Sequence, residues 1–195
     1  GERIAAFPAN AMAATLNHSG PMYKDGDPLP HLWHWLYFLQ TFNLEDKGYD
    51  GHPKLGGFLP PIDLPRRMWV GSRLKFLAPM SLGAQLNKES TIKAVTEKSG
   101  RSGALAFVTV LHQVHDGNTL CLEEEHDIVY REKMSAHAPQ ASPPSAPTES
   151  AFSRNIDPDP VMLFRYSALT FNGHRIHYDQ PFCTDTEGYE GLVVH

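Results

Sequence analysis

The sequence predicts an α+β fold in which a long antiparallel β-sheet wraps around one buried helix. Three observations support this prediction: several segments alternate apolar and polar residues, short turn signals separate them, and one upstream segment is apolar on nearly every face. Short connections join antiparallel neighbours, and a helix that is apolar all round needs other elements to enclose it. The sheet and the helix are therefore expected to bury each other.

Two helices are expected before the sheet. Pro8 followed by ANAMAATLN predicts a short helix with proline in its first turn. The segment HLWHWLYFLQTF, residues 31–42, is longer than most strands and follows Pro30, so it is predicted to be the buried helix, although its aromatic content also suits a strand. Trp33 and Trp35 are expected in the core rather than in an acyl pocket.

The predicted strands are 68–77, 89–98, 103–114 and 120–130. The third is apolar on both faces, which favours a central position, and turns are expected at 97–100 and 116–118. Alternation assigns the following residues to common faces: Met68, Val70, Leu74 and Phe76 to one, Arg73 and Lys75 to the opposite one, and Ile92 with Ala94 in the next strand.

Composition divides the chain into three parts. Residues 1–132 hold the predicted helices and strands, and residues 133–152 are rich in Ala, Ser and Pro, as linkers are. Residues 153–195 are expected to begin a second unit, which is too short for a core of its own and must lean on the first or be incomplete. The first residue is Gly1 and the last residues are GLVVH, so we expect a fragment of a longer protein.

Charge and cysteine content argue against several classes of function. The 17 Lys and Arg residues against 22 Asp and Glu residues do not favour a nucleic-acid partner. The apolar stretches are far shorter than the roughly 20 residues of a membrane span. Cys121 and Cys183 are far apart and suggest neither a disulfide framework nor a zinc site. We expect a cytoplasmic protein, mitochondrial if the source is eukaryotic.

Polar residues with catalytic potential are concentrated in LTFNGHRIHYD, residues 169–179. One interpretation is a polar surface loop, and another is a metal site built from His174, His177 and Asp179. A third is a catalytic pair in which one imidazole acts as a base and an amide or carboxylate orients water. Residue chemistry alone leaves all three open.

The same segment resembles the motif S/T-G-D-x-N-P-x-H-x-D of the MaoC-like enoyl-CoA hydratases. Aligned on the final H-x-D, His177 matches the catalytic histidine, and Asn172 stands where the family has aspartate. His174 and Arg175 replace the usual Asn-Pro pair. The longer strings FRYSALTFNGHRIHYD, EGYEGLVVH, HLWHWLYF and EEEHDIVYRE resemble the type 2 hydroxyacyl-thioester dehydratases and the related mesaconyl-CoA (3-methylfumaryl-CoA) hydratases across nearly the whole chain.

This resemblance implies a hot-dog fold, with a non-catalytic N-terminal hot-dog and the start of a catalytic C-terminal one. It implies a hydro-lyase that adds water to an enoyl thioester or removes it from a 3-hydroxyacyl thioester, with His177 as general acid/base and Asn172 as orienter. The substrate would be linked to CoA or acyl carrier protein, and its acyl group could be a branched dicarboxylic one. No cofactor or metal is implied, and a homodimer is possible. Further residues are expected to contact substrate: His174, Arg175, Tyr178, Gly191 and His195.

Other residues and other reactions also fit parts of the sequence. Arg66, Arg67 and Arg175 could bind a CoA phosphate or a substrate carboxylate, or could be solvated surface charges. The acidic run 123–127 is expected to lie on a solvated sheet edge, and Cys183 lacks a recognisable base. A hot-dog thioesterase and a non-catalytic acyl-thioester-binding module are the alternative functions, which release of free thiol or binding without turnover would reveal.

Overall fold

The computed structural model describes residues 1–100, 103–132, 145 and 147–195. The strands in these residues are β1 (Glu2–Arg3), β2 (Arg66–Phe76), β3 (Gln85–Gly100), β4 (Gly103–Asp116) and β5 (Thr119–Arg131), and the α-helices are α1 (Ala6–Thr15) and α2 (Pro160–Leu169). Short helical turns occupy Trp33–Leu36, Leu44–Asp46, Arg175–His177 and Phe182–Thr186. No helix in this part of the chain is both long and apolar enough to cross a bilayer.

The strands form one antiparallel sheet in the order β1-β3-β4-β5-β2. All four predicted long strands are present, and the predicted central strand, β4, lies in the middle. The turn expected at 97–100 is wrong, because β3 continues to Gly100, which pairs with Gly103. The polar residues 97–99 are exposed, so they fit a solvated end of a hairpin as well as they fit a turn.

The register shifts at three places in the described sheet, and two of these β-bulges overturn the predicted faces. In β2, Trp69 pairs with Ile128 and Gly71 with Asp127, so Val70 is the extra residue. A bulge shifts the alternation by one position. The prediction that Met68 and Val70 share a face with Leu74 and Phe76 is therefore wrong. The same holds for Ile92 and Ala94 in β3, because Ile92 pairs with Val110 and Ala94 with the adjacent Thr109.

The helix that the sheet packs against is α1. Its Ala9 and Met12 join one buried cluster with Leu86 of β3, Val114 of β4 and Leu122 of β5. The prediction that residues 31–42 form this helix is wrong. In that segment only Trp33–Leu36 is helical, as a 3₁₀ turn. The small side chains of α1 suit close packing on a sheet.

Residues with left-handed backbone conformation lie on both sides of the 3₁₀ turn and limit its length. Leu32 has φ +71° and Phe38 has φ +56°, values that non-glycine residues seldom adopt. His34 and Trp35 both bond to the Glu124 carboxylate, while Leu36 and Tyr37 are buried in the core. Tertiary contacts therefore override the helical preference of this segment.

Glu124 corrects the prediction for the acidic run 123–127. β5 is an inner strand between β4 and β2, and Glu124 is only 2% exposed. Its carboxylate accepts hydrogen bonds from His34, Trp35 and Ser72. The neighbouring acids follow the expected pattern more closely, since they are partly exposed and pair with basic side chains: Glu123 with Lys75, Glu125 with Lys93 and Arg73, and Asp127 with Arg73.

The C-terminal segment packs against the first part of the chain, as a segment too short to form its own core must do. Asp159 caps α2 by accepting from Met162 N at 2.7 Å, and Pro160 occupies the first turn. The helix α2 contacts α1, and its Tyr166 and Leu169 pack against the main core cluster. The predicted linker 133–152 lies largely outside the described residues, and the boundaries of the two predicted units stay a prediction.

Candidate active site

A cleft of about 650 Å³ lies between the C-terminal segment and the β2–β5 side of the sheet. Polar side chains from three parts of the chain line it. They include His52 from the loop before β2, Arg67 and His126 from the sheet, and Asn172, His174, His177 and His195 from the C-terminal segment. The structure therefore gathers the histidines of the predicted motif around one cavity.

The motif turns sharply after α2. Phe171 has φ +52°, and the Asn172 N–H donates to Ser167 O at 2.9 Å, so the chain reverses direction at the helix end. Asn172 Oδ1 then accepts from His174 N at 3.0 Å. This local hydrogen bond is of the kind that asparagine makes in turns. It leads into the 3₁₀ turn Arg175–His177, which holds His177 at the cleft.

His177 is fixed in one tautomer. It is 6% exposed, and its Nδ1 donates to Val193 O at 2.8 Å. A carbonyl oxygen can only accept, so Nδ1 carries the proton and Nε2 is left as a base. Burial lowers the pKa of His177, and the Val193 hydrogen bond opposes that change only in part. The imidazole is therefore neutral near pH 7.

His195 stacks on His177. Their ring centroids are 3.8 Å apart and the planes differ by 18°. His195 Nε2 is hydrogen-bonded to Ser167 Oγ at 2.8 Å, which ties it to α2. Burial lowers the pKa of His195 to about 4, so two neutral rings can stack without charge repulsion. This contact restricts the rotation of His177.

On its other side, His177 approaches His174, with ring centroids 5.5 Å apart. His174 in turn lies 4.2 Å from the His52 ring. Burial, together with His52, lowers the pKa of His174 to about 3. A row of imidazoles therefore runs along the cleft, from His52 through His174 and His177 to His195.

Asp50 lies at one end of this row. Its Oδ2 is 3.1 Å from His52 Nδ1. Burial alone would raise the pKa of Asp50, but the bonds from His52 outweigh it and lower the pKa to about 2. Asp50, His52 and His174 could offer a metal ion one atom each, within 4.8 Å of one another. The direct hydrogen bond between His52 and Asp50 accounts for this grouping without an ion.

The loop that carries Asp50 and His52 is docked tightly on the motif. Arg175 N donates to Asp50 O at 2.8 Å. Gly51 has φ +95°, and a Cβ built there would lie 1.9 Å from Gly173 O. Only glycine permits both this backbone conformation and this approach. The contact sets the position of His52 relative to His174.

Two of the three arginines that were candidates for anion binding have acidic partners. Arg175 NH2 lies 2.7 Å from Asp179 Oδ2, and its guanidinium carbon lies 4.1 Å from the centroid of the Phe182 ring. Because Asp179 binds Arg175, the metal set of His174, His177 and Asp179 is not assembled in the structure. Arg66 pairs with Glu187 at 2.9 Å. Arg67 lines the cleft.

The remaining predicted substrate contacts lie elsewhere. Tyr178 donates to Gly173 O at 2.8 Å and lines a second, mostly apolar cavity of about 420 Å³ with Phe42, Phe164 and Phe171. Gly191 O accepts from Cys183 Sγ, and neither Gly191 nor Arg175 is among the residues that line the cleft. Substrate contact by these residues stays a prediction.

Several residues that contribute to the site carry no signal in the sequence. Asp50 and His52 sit in a loop with no recognisable motif, and Ser167 and Val193 act through a hydroxyl group and a backbone carbonyl. The only available signal was the number of histidines in the chain, and that does not show which of them meet.

Comparisons with known proteins identify the family. The sequence model of the hydroxyacyl-thioester dehydratase type 2 family matches residues 32–195. Mesaconyl-C(4)-CoA hydratase of Chloroflexus aurantiacus is 50% identical over 188 residues, which are 96% of this chain and 67% of that protein. The mitochondrial hydroxyacyl-thioester dehydratase type 2 of Schizosaccharomyces pombe is 27% identical over 186 residues, with 83% of this chain and 61% of that protein covered. The chain thus spans about two thirds of the length of these relatives or less.

A solved structure agrees in fold. The crystal structure of HtdX from Mycobacterium tuberculosis superposes with a TM-score of 0.59 at 15% sequence identity, covering 100% of this chain and 71% of that one. At this identity the likeness concerns the fold alone, and the predicted α+β hot-dog fold is confirmed. The predicted family is confirmed as well. Because the match runs from residue 32 to residue 195 and half of the aligned residues are shared with the Chloroflexus protein, this chain belongs to the hydroxyacyl-thioester dehydratase type 2 family.

Proposed function

We propose that the full-length protein catalyses the reversible addition of water to an α,β-unsaturated acyl thioester, with His177 as the general base. The observation that carries this proposal is the buried, neutral His177 in the cleft, with Nδ1 committed to Val193 O and Nε2 unprotonated. The family name and the names of the two relatives support the type of reaction. The 50% identical relative, named for a CoA thioester, supports CoA as the carrier.

The chemistry needs a base and a proton donor. As the water oxygen bonds to the β-carbon, His177 Nε2 accepts a proton from the water, and the electrons of the double bond move toward the thioester oxygen. The α-carbon then takes a proton, which the His177 imidazolium can return, and a 3-hydroxyacyl thioester results. In the reverse direction the neutral imidazole removes the α-proton and water leaves. The Val193 hydrogen bond stabilises the imidazolium in both directions.

Asn172 can offer only part of its amide group to the substrate. Its Oδ1 already accepts from His174 N, and it lines the cleft. Its Nδ2 group has no protein acceptor within the described residues, so this N–H₂ is the part that can orient water or the thioester oxygen. Asn172 thereby shapes the motif loop and supplies a donor, but cannot transfer a proton itself.

His195 is a positioning residue in this proposal. It stacks on His177 while Ser167 holds its Nε2. A neutral ring in this place excludes water from one face of His177 and keeps Nε2 directed into the cleft. The base therefore needs little reorientation during the reaction. Holding a catalytic group in its reactive orientation is a common source of rate enhancement.

The test is turnover of an enoyl-CoA by the full-length protein, followed as loss of the ultraviolet absorbance of the conjugated thioester. His177→Ala should lower kcat by about 10²- to 10⁴-fold, the usual contribution of a general base. His177→Asn retains a donor for Val193 O, because its amide nitrogen occupies the position of Nδ1, and circular dichroism checks the fold of both. His18→Ala, an exposed histidine outside the cleft, serves as the control and should not change turnover.

Two results would contradict the proposal. Unchanged turnover in both His177 variants would remove the mechanism. Release of free thiol from the thioester without formation of a 3-hydroxyacyl product would identify a thioesterase instead.

A further inference from the structure

The charged side chains that line the cleft are basic, whereas the chain as a whole is acidic. The whole protein carries a formal net charge of -5, yet none of the described residues that line the cleft is Asp or Glu. Its basic side chains are Arg67, Lys54 and five histidines, and Tyr189 also lines it. A cavity lined by one sign of charge concentrates ligands of the opposite sign. The cleft therefore suits an anionic group.

Arg67 is the cation best placed to bind that group. Lys54 is exposed and donates to Glu45 O at 2.8 Å. The neighbouring Arg66 is already neutralised by Glu187. Arg67 is half-buried, and no acidic partner for it is found in the described part of the chain. A half-buried guanidinium without a carboxylate partner is suited to bind one from the substrate, and it can do so through two parallel hydrogen bonds.

The bulge in β2 puts Arg67 on the inner face. Arg67 pairs with Tyr130, whose side chain is 1% exposed, and cross-strand partners point to the same face. If Val70 were paired and the strand alternated regularly from residue 67 to residue 75, Arg67 would share the outer face with Arg73 and Lys75. Arg67 therefore faces the histidines of the cleft, whereas Arg73 and Lys75, the next basic residues of β2, face solvent.

We infer that Arg67 binds a carboxylate carried by the acyl group of the substrate, so that the enzyme selects a dicarboxylic enoyl thioester. This inference rests on the proposed function. Arg67, His174 and His177 line one cavity, whereas the phosphates of CoA are separated from the thioester by the whole pantetheine arm. A cation that lines the same cavity as His177 therefore meets the acyl group rather than the CoA phosphates. Fixing the far carboxylate determines which carbon of the double bond lies next to His177.

The experiment compares two acyl groups on two carriers. The full-length protein is assayed with an enoyl group that bears a carboxylate and with a neutral enoyl group of similar size, each as the CoA thioester and as the N-acetylcysteamine thioester, which has no phosphate. The variants are Arg67→Met and Arg67→Lys. Arg73→Met is the matched control, because Arg73 lies in the same strand but pairs with Glu125 and Asp127 outside the cleft.

With Arg67→Met, kcat/KM for the carboxylated substrate should fall by about 10- to 100-fold on both carriers, as expected for a lost charge-assisted pair. The value for the neutral substrate should stay within about threefold, and Arg67→Lys should be intermediate because it keeps the charge but not the bidentate geometry. Arg73→Met should leave the ratio of the two substrates unchanged.

The inference is overturned by an equal loss for both acyl groups, by a loss that occurs only with CoA and so indicates a phosphate contact, or by no loss at all. Each of these results leaves the proposed hydration intact, provided the neutral substrate is turned over. Failure of the unsubstituted protein to hydrate any of the four thioesters would instead remove the proposed function.

Discussion

Replacing Glu124 with alanine should destabilise the protein far more than the same replacement of Glu123, its neighbour in β5. The Glu124 carboxylate is 2% exposed and accepts from His34 Nε2 and Trp35 Nε1, both at 3.1 Å, and from Ser72 Oγ at 2.7 Å. It therefore anchors the 3₁₀ turn Trp33–Leu36 to the sheet. Glu123 is partly exposed and pairs with Lys75.

The size of the effect follows from the donors left behind. Each buried donor that loses its acceptor costs about 1–3 kcal/mol. Ser72 can turn to water, so His34 and Trp35 dominate, and we expect a loss of about 3–5 kcal/mol in the free energy of unfolding, the range seen when a buried ionic network loses one partner. Glu124→Gln keeps one acceptor oxygen and should cost less than the alanine variant.

The measurement is urea unfolding of the full-length protein at neutral pH, followed by tryptophan fluorescence. Burial would raise the pKa of Glu124, but its hydrogen bonds outweigh that effect and lower it. The stabilisation is therefore fully present above the carboxyl's unfolded-state pKa, about 4.3, and is lost only as the pH falls well below it. Equal unfolding midpoints for Glu124→Ala and Glu123→Ala would refute the reasoning.

Two further predictions concern the site. Gly51→Ala should lower kcat by about tenfold or more, because its Cβ would strike Gly173 O and displace the motif loop, whereas Gly57→Ala, at φ +76° with nothing within 4 Å, has a similar backbone strain without the clash and lies outside the cleft lining. Equal activity of the two variants would show that the loop contact does not matter. The acid limb of the pH profile of kcat/KM should lie below pH 6.5, since burial lowers the pKa of His177 and the base stays neutral until the pH falls through that lowered value. A limb at or above the ordinary histidine value would contradict this environment for His177.

The sequence predicted the strands well because their signals are local. Alternation and short turns mark β4 and β5 without knowledge of the rest of the chain. The prediction for residues 31–42 was wrong because this segment is apolar on every face. Such a pattern has no preferred face, so it cannot distinguish a helix from a short turn whose side chains point in several directions. The outcome depends on Glu124, about 90 residues later in the chain.

The site was predictable only in its motif. His177 and its neighbours occur in one short string, so a resemblance could indicate them. The features that make His177 a neutral base come from Val193, His195 and Ser167, and these contacts depend on the fold. Arg67 could be proposed as an anion contact from the sequence. The face of the sheet on which it lies could not be predicted, because the residues around Val70 give no signal of a bulge.

That bulge lets the two parts of β2 present side chains to the same face although they are one residue out of phase in the sequence. Because Trp69 and Gly71 already pair with consecutive residues of β5, deleting Val70 would remove the bulge and leave every other pair in place. Arg67 and Trp69 would stay on the face that carries Ser72, Leu74 and Phe76. A homologue could therefore lose this one codon and still present its arginine to the cleft, so the bulge is a place where β2 can change length by one residue without changing which side chains meet the substrate.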